Sequence, residues 1–117
     1  MMGKPIPKNK RVVDKAGMKK VKTIDHCEKC GRWTDGFFNL EVAHVIGKGA
    51  GGPDIKENCI KLCGPASMQA GCHGANHAGE ISKDELFAKI AEREGKPVEE
   101  IKEIAHRAWR FGEYATD

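Results

Sequence analysis

Four polar side chains in the middle of the chain have types and an order that suit hydrolysis: His44, Asn58, His73 and His77. A histidine at the end of a strand can act as a general base near neutral pH, where its own titration lies. Two histidines at i and i+4, if helical, stand on one face and can share a divalent metal through neutral imidazole nitrogens. A metal facing a histidine base is equipment for phosphodiester hydrolysis, because the base takes a proton from water while the metal stabilises charge on the phosphate and the departing oxygen. Unrelated roles for the histidines are the simpler alternative, and their joint order argues against it.

The cysteines frame these residues. Five are present, an odd number, and Cys27 and Cys30 form a C-x-x-C pair with Gly31 just after it. A structural zinc takes four ligands in a tetrahedron, often as two thiolate pairs. The second pair must come from Cys59, Cys63 and Cys72. Cys59 is flanked by strand-forming residues and reads as a small buried hydrophobe. Cys27, Cys30, Cys63 and Cys72 are therefore the expected zinc ligands, with the stretch between Cys63 and Cys72 looped out. Unpaired core thiols are the alternative. A thioredoxin-like redox role is less suited, since no βαβ pattern surrounds the C-x-x-C.

The stretches LEVAHVIG, GGPDIKEN, KLC and CHGANHAG together resemble the HNH nucleases of the ββα-metal fold, over roughly residues 24–80. The resemblance implies a metal-dependent endonuclease acting on DNA. It implies His44 as the general base and Asn58 as the residue that holds loop and base in position. It implies His73 as a metal ligand, and His77 as the additional histidine ligand of colicin-like members. The implied cofactors are a structural Zn²⁺ and a catalytic Mg²⁺ or Mn²⁺. Ala43 stands where many members carry an Asp or His ligand. Glu41 shares a strand face with position 43 and could support the metal shell or a ligand in it. A zinc-bound nucleic-acid module with a degenerate site is the second reading, and a zinc-built protein-interaction domain the third.

The elements that must carry these residues follow from pattern. The 117 residues suit one domain, and 39% hydrophobic with 32% charged content suits a modest core. The expected fold is α+β: a ββα-metal HNH core with a four-cysteine zinc site, followed by a C-terminal helical pair. Residues 23–80 form that core. FFNLEVAHVI reads as a strand, GKGAGGPD as a loop and NCIKLC as a short second strand. PASMQAGCHGANHAG is a weak helix, because Gly71 and Gly74 oppose it. Residues 81–117 are helical: Ser82 and Glu85 make a capping box, GKP at 95–97 breaks the helix, Pro97 suits the next first turn, and Gly112 suits a stop. The apolar positions Leu86, Phe87, Ile90 and Ala91, then Val98, Ile101, Ile104, Ala105, Ala108 and Trp109, recur at helical spacing and mark this pair as packing on the core rather than entering DNA.

Charge is unevenly spread. Residues 1–22 hold eight basic side chains and one acidic, a net +7, residues 23–79 are net −1 and residues 80–117 net −3. Residues 1–22 thus read as a basic, mostly unstructured arm for phosphate, with a solvated tail as the alternative. Lys10, Arg11, Lys19 and Lys20 are its candidate DNA contacts, joined by Lys48 in the glycine-rich loop. No membrane partner is expected, because no run of apolar residues is long enough to span a bilayer. The opening residues lack the apolar centre of a signal peptide. The cytoplasm of a bacterium or a phage-infected host is the expected setting.

Overall fold

The computed structural model describes residues 11–34 and 37–115, in an α+β arrangement. In chain order these residues form helix α1 (Lys15–Lys22), strand β1 (Asn39–His44), strand β2 (Cys59–Gly64) and helices α2 (Gly71–His77), α3 (Lys83–Glu94) and α4 (Val98–Phe111). Short 3₁₀ turns at Lys48–Ala50, Lys56–Asn58 and Ala66–Met68 shape the connections. No helix among the described residues is long and apolar enough to cross a membrane.

The two strands pair antiparallel, with Leu40 opposite Cys63 and His44 opposite Cys59. Every residue of β2 is buried, so the hairpin must be covered on both faces. One face carries the main core, where Ala43, Ile60 and Leu62 meet Leu86, Phe87 and Ile90 of α3 and Ile101 and Ala105 of α4. On the other, Met18 and Val21 of α1 cluster with Cys59 and Val42. Each fully buried Ile or Leu here contributes about 1.5–3 kcal/mol.

Helix α1 revises the expectation of an unstructured arm through residue 22. Gly17, Met18 and Val21 are spaced to give one buried face, and the lysines take the other. Eight residues are too few to hold a helix alone, so docking stabilises this one. The expectations for residues 1–10, Lys10 included, lie outside the described residues.

The C-terminal pair follows its signals closely. Ser82 Oγ accepts the Glu85 N–H at 3.1 Å. Gly95 and Gly112 close α3 and α4 in the left-handed conformation, with φ of 68° and 66°. Pro97 sits immediately before α4 at φ −60°. Arg93 ties α3 to the rest of the molecule. Its guanidinium donates to Glu28 Oε1 at 2.8 Å, to the Cys59 carbonyl at 3.1 Å and to the Lys56 carbonyl, and its Nε donates to Glu94. Glu94 also accepts from Lys20 of α1 at 3.0 Å. Glu28 in turn accepts the Lys61 N–H of β2 at 2.8 Å.

Candidate metal centre and histidine site

The four expected cysteines converge. The sulfurs of Cys27, Cys30, Cys63 and Cys72 all lie within 4.8 Å of one another, and none is in a disulfide. Tetrahedral zinc–thiolate bonds of about 2.3 Å require sulfurs about 3.8 Å apart. Cys30 and Cys63 stand at 3.8 Å. The local backbone is shaped to the same end. Gly31, at φ +81°, turns the chain just after the first pair. The Cys30 N–H points at Cys27 Sγ (3.4 Å), and the Cys72 N–H at Cys63 Sγ (3.3 Å). Gly71, at φ +66°, lets α2 start against β2, since a Cβ there would fall 2.4 Å from the Cys63 carbonyl oxygen. This donor set could hold a metal such as zinc.

The thiol chemistry agrees. Burial raises Cys27, but backbone groups of Cys30, Cys63 and Lys29 more than reverse this and hold it at about 7. Burial raises Cys63 and Cys72, and the sulfurs of Cys27 and Cys30 add to it. Sulfurs packed this closely resist a second negative charge, and a cation relieves that resistance. Cys59 is different in kind. It is fully buried, and burial pushes its thiol up to about 12, so it is an inert member of the core, as expected from its strand position.

Asn58 is buried and holds the glycine-rich loop by both ends. Its Oδ1 accepts the Ile46 N–H at 2.8 Å, and its Nδ2 donates to the carbonyls of Ile46 (3.1 Å) and Pro53 (3.0 Å). The loop between folds back so tightly that a Cβ on Gly52 would sit 1.8 Å from the Ile46 carbonyl oxygen. His44 ends β1 beside this clasp. Its Nε2 lies 2.6 Å from Asp54 Oδ1, with both side chains largely shielded.

His73 and His77 share a face of α2, their rings edge to face with centroids 4.5 Å apart. His73 Nδ1 lies 2.7 Å from Glu41 Oε1, which also accepts the Ala66 N–H at 3.0 Å. Burial raises the Glu41 carboxyl, but these two partners outweigh it and leave it below its ordinary value. Gly64 gives Glu41 its room, since a Cβ there would lie 2.3 Å from Oε1. Among the described residues, no three His, Asp or Glu donors gather around one point as the cysteines do.

The candidate phosphate contacts divide. Lys19 is exposed on α1 and Lys48 on the loop. Arg11 donates to the Lys48 carbonyl at 2.9 Å. Lys20 is engaged by Glu94. Sequence reasoning missed Asp54 altogether, although a Pro-Asp pair closing a glycine-rich loop ten residues after a histidine was the available signal.

Comparison of the chain with protein-family models, with curated proteins and with solved structures finds no match.

Proposed function

We propose that this protein is a metal-dependent HNH endonuclease that hydrolyses DNA phosphodiester bonds. The observation that carries the reading is the Asn58 clasp, which binds Ile46 and Pro53 with three hydrogen bonds beside His44. Such a clasp fixes a phosphate-facing loop and a general base in one rigid unit, the arrangement that in-line hydrolysis needs. In this reading His44 takes a proton from the attacking water. His73 and His77 would hold a divalent ion, Mg²⁺ or Mn²⁺, which when bound supplies charge stabilisation at the scissile phosphate. Glu41 supports His73 from two residues before Ala43, on the same strand face, as carboxylates commonly support metal-binding histidines. The exposed lysines of α1 and Arg11 add sequence-independent affinity that weakens with salt.

A second reading, a zinc-containing nucleic-acid-binding module without activity, draws on one observation. Ala43, at the usual ligand position, is 1% exposed and offers no donor, so among the described residues no third donor gathers with His73 and His77 to hold an ion.

Cleavage of supercoiled plasmid separates the two. The wild type is expected to nick or linearise it with Mg²⁺ or Mn²⁺ and not with EDTA. His44→Ala should slow this by about 10²–10⁴-fold while DNA binding and thermal stability stay unchanged. Equal rates for the two proteins would remove His44 from the chemistry. No cleavage with any divalent metal, zinc content being intact, would favour the binding module.

A further inference from the structure

The Asp54 carboxylate faces the one side chain the proposed reaction depends on most. Its Oδ1 is 2.6 Å from His44 Nε2. A carboxylate only accepts hydrogen bonds, so the contact requires the proton of the neutral ring to sit on Nε2. Nδ1 then carries the lone pair. A short, partly shielded contact of this kind selects one tautomer and one ring orientation.

Asp54 is itself held from two sides. Its N–H donates to the Val12 carbonyl at 2.8 Å, and its own carbonyl accepts the Asp14 N–H at 2.9 Å, so the segment before α1 bridges to it in parallel. On the loop side, the Asn58 amide grips the carbonyl of Pro53 next to it, and Ile55 after it is fully buried. Arg11 adds a contact to the same loop through the Lys48 carbonyl. The carboxylate is thus carried on backbone fixed by the strap at 11–14 and by the clasp at 58.

We propose that Asp54 is the positioning residue for His44, accepting the Nε2 proton and leaving Nδ1 as the nitrogen that receives the proton from water. The proposal rests on the endonuclease reading for its consequence and on geometry for the pairing. The strap at 11–14 is the mount for Asp54, which gives a basic N-terminal segment a role inside the site as well as toward phosphate.

The test uses the full chain, zinc-loaded, as wild type, Asp54→Asn and Asp54→Glu. Long-range ¹H–¹⁵N NMR of the imidazoles, with His44→Ala to assign the signal, reads the tautomer directly. The wild type should show His44 protonated at Nε2, and Asp54→Asn should shift the ring toward the other tautomer. Plasmid turnover should fall by about tenfold or more in Asp54→Asn at saturating DNA, with DNA affinity and zinc content unchanged, and Asp54→Glu should recover part of it. Protonation at Nδ1 in the wild type, an unchanged tautomer in Asp54→Asn, or a loss confined to DNA affinity would each overturn the proposal. If Asp54→Asn fails to fold, the wild-type tautomer alone decides the pairing. Absence of cleavage by the wild type overturns the endonuclease reading, and the NMR result then decides the His44–Asp54 pairing on its own.

Discussion

The cysteine cluster and the histidine site sit at successive positions of one helix, Cys72 and His73, yet their polar groups are satisfied in opposite ways. The four sulfurs face one another, and Cys27 and Cys63 also accept the backbone N–H groups of Cys30 and Cys72. The histidines instead meet carboxylates of the chain itself, His44 with Asp54 and His73 with Glu41. The first arrangement is a closed donor set that could hold a metal such as zinc. The second is already hydrogen-bonded and leaves ring nitrogens for other work. The two regions therefore differ in what their donors face: other sulfurs in the first, carboxylates of the chain in the second.

The contrast breaks most severely at the cysteines. Chelation, or Cys63→Ser, should abolish cooperative unfolding, since binding of structural zinc contributes about 10–16 kcal/mol in small domains. Zinc stoichiometry with near-UV circular dichroism measures this. A chelated protein with an unchanged spectrum would mean that the sulfurs are ordinary core thiols, and the distinction between the two regions would vanish.

A smaller loss is expected at the clasp. Asn58→Ala strands the Ile46 N–H and two carbonyls in the interior, and stability should drop by about 3 kcal/mol. Urea unfolding gives the number. Zinc content should hold, because the clasp and the cysteines are separate devices. Joint loss of zinc would show that the two regions fold as one unit.

The smallest effect concerns the network that joins α1 and α3. Burial raises Glu94, but Arg93 and Lys20 more than compensate and hold its carboxyl below the ordinary 4.5. A group whose folded value is depressed stabilises above its unfolded value, and the benefit is lost as pH falls through the folded one. Wild-type Tm should therefore fall more steeply than that of Glu94→Gln between pH 6 and 3. Parallel curves would assign Glu94 a packing role only.

The elements most legible in the sequence were those with local causes. Ser82, Gly95, Pro97 and Gly112 mark the ends of α3 and α4 because caps depend on a few neighbouring residues. The choice of Cys27, Cys30, Cys63 and Cys72 over Cys59 was legible because strand neighbours distinguish a core thiol. Helix α1 was hidden, since lysines dominate its composition and only docking on Val42 and Cys59 gives its apolar residues a purpose. Asp54 was hidden for a similar reason: its position is set by Val12 and Asp14, some forty residues earlier, and nothing near it in the chain announces the contact. The Arg93 network was hidden as well, because Glu28, Lys56 and Cys59, the partners of its guanidinium outside α3, lie 34 to 65 residues earlier in the chain. Glu41 was half legible. Alternation put it on the right face, but the reach to His73 needed the turn that brings Ala66 alongside.

The chain has two tryptophans, and they occupy unlike surroundings. Trp33 is 62% exposed, whereas the Trp109 indole N–H donates to the Ala50 carbonyl at 2.9 Å, joining α4 to the glycine-rich loop. Indole emission responds to such a bond, so the molecule carries its own optical gauge of loop position. With Trp33 replaced by phenylalanine, any displacement of the loop is recorded by a single native tryptophan, with no label attached to the loop.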